Sequence, residues 1–180
     1  KKRGAIALLL LVMLSSLVGC APGSMASPGW GGLEVSEDTL YMATSRGKVF
    51  ALDAESGMQK WVYPQGEKEV RGPFYSAPTV VDDLVFVSSH AGVVLALDTG
   101  TGLERWTLEA EDGFVGAPAV VDGEVYVGNT DGKIYTLDAI SGQMKWEFQT
   151  GNWLWSSPVV GGDRLYVASM DHKMYCLDRS

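Results

Sequence analysis

The stretch Ala51-Leu-Asp53-Ala-Glu-Ser-Gly57-Met-Gln-Lys-Trp61 returns as Ala96-Leu-Asp98-Thr-Gly-Thr-Gly102-Leu-Glu-Arg-Trp106 and again as Thr136-Leu-Asp138-Ala-Ile-Ser-Gly142-Gln-Met-Lys-Trp146. A fourth copy opens at Cys176-Leu-Asp178. Repetition at a fixed period means that one supersecondary unit is stacked on copies of itself. Other landmarks keep the step: Pro78, Pro118 and Pro158 are 40 residues apart, as are Phe86, Tyr126 and Tyr166. The interval from Asp53 to Asp98 is 45, and the extra length falls in the polar run between Trp61 and Pro78. Such a run reads as a loop insertion, which surface connections tolerate far better than strands do.

One period holds four short strand signals and no helix signal. In the third copy these are Ala119–Val121, Glu124–Val127, Lys133–Leu137 and Gln143–Phe148, separated by Asp122-Gly123, Asp131-Gly132 and Ser141-Gly142. β-branched and aromatic runs punctuated by Asp and Gly predict strands joined by tight turns. Leu84-Val-Phe-Val87 is apolar throughout, which predicts a strand covered on both faces. Met144, Trp146 and Phe148 alternate with Lys145 and Glu147, which predicts an outer strand with one solvated face. Four strands of ~5–6 residues with short turns fill the period. The expected fold is therefore all-β, a propeller of four-stranded blades. A β-sandwich needs ~100 residues, and a leucine-rich solenoid a shorter period. Blades are expected at about 33–75, 76–116, 117–155 and, incomplete, 156–180. Three and a half blades fall short of the ~4–8 of a closed ring. The chain thus reads as part of a longer protein, and its open arc is expected to self-associate.

The recurring residues have structural work to do. Gly57, Gly102 and Gly142 are expected at positive φ in the turn before the outer strand. Asp53, Asp98 and Asp138 are placed to cap that turn by accepting backbone N–H bonds. Trp61, Trp106 and Trp146 supply one large side chain per blade for packing on the neighbouring sheet, each contributing ~4–6 kcal/mol on area alone.

The pattern Ala-x-Asp-x-x-[Ser/Thr]-Gly-x-x-x-Trp resembles the tryptophan-docking repeat of the pyrroloquinoline-quinone (PQQ)-like propeller superfamily, which includes quinoprotein alcohol dehydrogenases and the BamB family of outer-membrane assembly lipoproteins. The similarity spans residues 33–180. The resemblance implies a membrane-anchored scaffold that binds protein partners, among them the outer-membrane assembly machinery or β-barrel precursors. It also leaves open a PQQ-dependent dehydrogenase or PQQ-binding sensor with Ca²⁺. The dehydrogenases carry adjacent cysteines, a calcium held by Glu and Asn, and an Asp base; this chain has no Cys-Cys pair and no cluster of Glu, Asn and Asp at one equivalent loop. No catalytic residue and no metal ligand is assigned from the sequence.

Lys1-Lys-Arg3 followed by the apolar run Gly4–Leu14 and by Leu17-Val-Gly-Cys20 reads as a lipoprotein signal segment, residues 1–19, with Cys20 as the lipidated residue. The run is shorter than the ~20 apolar residues of a membrane span. Residues 20–32, rich in Pro, Gly and Ser, read as a tether. The expected location is extracytoplasmic, on a bacterial membrane and by resemblance on its periplasmic side. A net charge of −8 without a basic stripe argues against nucleic acid and against adhesion to anionic lipid. With two cysteines in the chain, a disulfide framework is not expected, and Cys176 reads as a small core residue.

One feature exceeds the needs of the fold. The segments leading into the innermost strands carry Phe74-Tyr75, Phe114 and Trp153-Leu154-Trp155, which successive blades bring to one rim. These aromatics are candidate partner- or ligand-binding anchors, for a protein or, in a third reading, for a carbohydrate or cell-surface ligand. The competing reading is that they pack between blades. His90 and His172 fall in turns of different blades without metal-ligand spacing.

Overall fold

The computed structural model describes residues 31–66 and 71–179. The signal segment 1–19, Cys20 and all of the 20–32 tether but its last two residues lie outside that range. Every described element is a strand. Blade one comprises β1 (Leu33–Ser36), β2 (Thr39–Ala43), β3 (Val49–Asp53) and β4 (Gln59–Tyr63). Blade two comprises β5 (Thr79–Val81), β6 (Leu84–Ser88), β7 (Val93–Asp98) and β8 (Glu104–Glu109). Blade three comprises β9 (Ala119–Val121), β10 (Glu124–Gly128), β11 (Lys133–Asp138) and β12 (Met144–Gln149). Blade four presents β13 (Val159–Gly161), β14 (Arg164–Ala168) and β15 (Met174–Asp178).

Each sheet is an antiparallel meander in chain order. The first strands lie side by side, β1 against β5, β5 against β9 and β9 against β13, so they form the inner wall of an arc. This is a β-propeller of about three and a half blades. The three complete sheets share one irregularity, a register shift at Ala51/Leu52, Ala96/Leu97 and Thr136/Leu137. At each, the third strand leaves its ladder to enter the Asp-to-Gly turn.

The core is a set of layers between blades. Val85 and Val87 of β6 pack with Tyr41, Val49 and Trp61 of blade one. Leu84 and Phe86, on the opposite face, pack with Val125, Val127 and Leu137 of blade three. Period-two alternation sends successive side chains to opposite sheets, which is why β6 is apolar at nearly every position and buried at all. A third layer joins Tyr126 and Ile134 to Leu165 and Val167.

Among the described residues, one face of blade four is uncovered, and this corrects a sequence expectation. Cys176 is an exposed free thiol, not a core residue. Its repeat equivalents, Ala96 and Thr136, are fully buried because another blade lies over them. The apolar side of β12 is also only partly covered, with Met144 48% and Phe148 38% exposed. In blades one and two, the following blade's turn closes over the tryptophan at the centre of the outer strand, Trp61 or Trp106, while Gln59 and Glu104 at its start are exposed.

Candidate functional site

The recurring phrase forms the joint between blades. The Trp61 indole N–H donates to the Thr99 carbonyl at 2.7 Å, and that of Trp106 to the Ala139 carbonyl at 2.9 Å. Each acceptor directly follows the repeat Asp of the next blade. Gly102 and Gly142, at φ 68° and 70°, complete the same turns, and a Cβ on either would stand 2.5–2.6 Å from the docked indole. Gly57 has φ 71° but no neighbour within 4 Å among the described residues. Trp146 packs on Tyr126, yet its buried N–H finds no acceptor among the described residues.

The repeat carboxylates hold these turns in shape. Oδ1 of Asp53, Asp98 and Asp138 accepts both the backbone N–H and the hydroxyl of Ser56, Thr101 and Ser141 respectively, at 2.6–2.8 Å. The Thr101 hydroxyl, then Arg105 at 2.6 Å, holds the Asp98 carboxyl down at about 2. Bonds to Ser56 and to Ser141 lower Asp53 and Asp138 too. A depressed native carboxylate contributes stability in full above its unfolded value, about 3.9, and loses it as the pH falls toward the native value. We therefore expect the melting temperature to drop between about pH 4 and 2, with a shallower drop for Asp98→Asn. Parallel slopes for the two proteins would show that this turn does not sense acid.

Further contacts cross between blades. The Tyr63 hydroxyl donates to Glu104 at 2.7 Å, and burial pushes its phenol up to about 12. Arg179 reaches from blade four to the Tyr126 hydroxyl (2.8 Å), to Asp122 (3.1 Å) and over the Tyr126 ring, while Tyr126 donates to Glu124. Sequence reading passed over Arg179. Its signal is a departure from the repeat, a long cation where Thr99 and Ala139 follow the Asp.

The rim aromatics separate into two groups. Phe74 and Phe114 are fully buried, as is Leu154 at the same repeat position, which removes both phenylalanines from any contact surface. Their backbone N–H groups donate to Thr44 and Ser89, and that of Leu154 to Asn129, tying each segment to the preceding blade. Tyr75, Trp153 and Trp155 point outward. The two tryptophans are half exposed, with ring centroids 6.1 Å apart and planes 15° apart. Tyr75 leans on His90 at 5.4 Å. His172 occupies a turn at φ 69°, where Gly92 and Gly132 stand in blades two and three.

Among the described residues, no group of three or more His, Cys, Asp or Glu side chains is placed to hold a metal ion. The buried side-chain polar atoms lacking a partner are Thr136 Oγ1 and Trp146 Nε1, a hydroxyl and an indole within one blade. They are not a donor set for Ca²⁺ or for the carboxylates of PQQ, so the described residues do not fit that group.

The fold recurs among solved structures. BamB from Moraxella catarrhalis matches with a TM-score of 0.71 and 26% identity, over 83% of this chain and 45% of that protein. This chain thus spans less than half of that protein's length. The computationally designed Ika4 protein matches with a TM-score of 0.72 and 17% identity, over 82% of this chain and 89% of the design. The quinohemoprotein alcohol dehydrogenase ADHIIG from Pseudomonas putida matches at 0.65 and 23%, over 75% of this chain and 27% of the enzyme, a likeness of fold alone. No curated protein sequence matches the chain. Residues 18–180 match the model of the outer membrane protein assembly factor BamB, a span that contains every described blade and all three copies of the Asp-Gly-Trp phrase, and the chain belongs to that family.

Proposed function

We propose that this protein is a lipid-anchored, periplasm-facing scaffold of outer-membrane protein assembly, held to the membrane through Cys20 and working by binding proteins. The observation that carries the reading is the family match, which runs through the whole repeat region. The chemistry of the repeats supports it, because Asp53, Asp98 and Asp138 are occupied in shaping turns, and the pairs Trp61–Gly102 and Trp106–Gly142 in joining blades. The outer strands β4, β8 and β12 each border a sheet on one side only. Open strand edges suit the capture of extended chains, the form in which an unfolded β-barrel precursor arrives. The test is direct binding of the acylated protein to an unfolded β-barrel precursor and to the periplasmic part of the barrel insertase. Saturable binding to either is expected. Absence of binding to both would overturn the proposal.

A further inference from the structure

The segments leading into β5, β9 and β13 are built alike, yet they differ at two positions. The central residue is buried in all three, as Phe74, Phe114 or Leu154. The residue before it is Pro73, Gly113 or Trp153, and the residue after it is Tyr75, Val115 or Trp155. Gly113 and Val115 show that the segment folds without aromatic flanks. The Trp153–Trp155 pair is therefore not a demand of the propeller. It exposes two half-bare indoles, side by side, on an otherwise acidic chain.

The polypeptide enters blade one at this same rim. Ser156, which leads into β13, donates through Oγ to the carbonyl of Ala168, the last residue of β14. Ser76, which leads into β5, meets Ser88 at the end of β6. Gly31 lies against the carbonyl of Ala43 at the end of β2, so close that a Cβ would not fit. Gly31, Ser76 and Ser156 are thus equivalent, and the chain reaches the propeller from the side that carries Trp153 and Trp155. Cys20 stands eleven residues earlier. Even fully extended, that segment spans no more than about 40 Å.

We propose that Trp153 and Trp155 seat this rim in the headgroup region of a zwitterionic phospholipid bilayer. The proposal rests on the reading of Cys20 as the lipid anchor. A short tether rising from one rim turns that rim toward the membrane, and indole rings favour the membrane–water boundary, where an apolar body and a polar N–H are both accommodated. Charge selects the lipid. The rim carries both signs: Asp131 and Asp171 stand beside Lys133 and Lys173 in its turns, at 4.0 and 3.6 Å, and Arg46, Lys48 and Arg71 balance Glu111 and Asp112. A rim without a basic excess, on a chain of net charge −8, gains nothing from an anionic surface, which leaves a zwitterionic one.

The test uses the full chain with its lipid attached, reconstituted in phosphatidylcholine–phosphatidylethanolamine vesicles whose acyl chains carry bromine. Indole emission should be quenched and blue-shifted, and most of the quenching should be lost in Trp153→Ala/Trp155→Ala. Trp153→Phe/Trp155→Phe should retain vesicle contact in a flotation assay at high lipid, and circular dichroism melts check that each variant is folded. Mass spectrometry of Cys20 reads the anchor separately. Absence of an acyl mass overturns the anchor and this proposal with it. An acylated protein quenched equally with and without the two indoles overturns this proposal alone. So does binding of an unfolded barrel precursor that needs both indoles while bromine leaves them unquenched, since that assigns the pair to a peptide.

Discussion

Replacing Trp106 with alanine should remove about 3–5 kcal/mol of stability, much of what a domain of this size has to lose. The side chain is 9% exposed, packs on Phe86 at 6.0 Å and donates to the Ala139 carbonyl of the next blade. Truncation empties the joint and strips a buried acceptor of its donor in one step. Trp146, at the same position of the next repeat, should behave differently. Its ring is partly exposed, and its N–H has no acceptor among the described residues. Trp146→Ala should cost about 1–2 kcal/mol, from partial burial alone. The phenylalanine variants sharpen the contrast. Trp106→Phe loses a made hydrogen bond and should cost about 1–3 kcal/mol, whereas Trp146→Phe deletes an unpaired donor and should be near neutral. Urea midpoints at constant slope report all four values. Equal losses for the two phenylalanine variants would mean that the indole hydrogen bond contributes nothing beyond ring burial.

The sequence made the blades legible because their strands obey local rules. In blade three, the runs Ala119–Val121 and Glu124–Val127, each ended by an Asp-Gly or Asn turn, become β9 and β10 within one residue. The burial of β6 on both faces was equally visible, since Leu84–Val87 is apolar at every position, and the one polar residue of the strand, Ser88, is buried with its hydroxyl bonded to the Gly116 carbonyl. Cys176 was misread because its environment depends on whether another blade lies over β15, which no local pattern records. Phe74 and Trp153 occupy neighbouring repeat positions and look alike as letters. Burial of one and exposure of the other follow from which way the backbone turns each side chain as it bonds to the preceding blade. The indole acceptors at Thr99 and Ala139 were out of reach for another reason. They are backbone carbonyls, and any residue supplies one.

Gly102 and Gly57 pose a cleaner experiment, because they share a backbone conformation and differ in what lies beside them. Both have φ near 70°, where an alanine is strained by about 1–2 kcal/mol, offset in part by the roughly 0.4–1 kcal/mol an alanine gains by restricting the unfolded chain. Gly57→Ala should therefore lose about 1 kcal/mol or less. At Gly102 the new methyl meets Trp61 at Cε3 and Cδ2, the fused edge of the ring. The indole cannot swing away cheaply. It is held by its bond to Thr99 and packs on Tyr41 at 5.8 Å. Overpacking of this kind adds about 1–3 kcal/mol, so Gly102→Ala should cost about 2–4 kcal/mol in all. Because the collision needs the ring, part of that cost should vanish once the ring is gone. In a double-mutant cycle, Trp61→Ala combined with Gly102→Ala should be less damaging than the sum of the two single changes by about 1–2 kcal/mol. Additivity would place the whole penalty in the backbone of the turn. A clear coupling would assign the glycine of the repeat to the neighbouring blade's tryptophan as much as to its own φ.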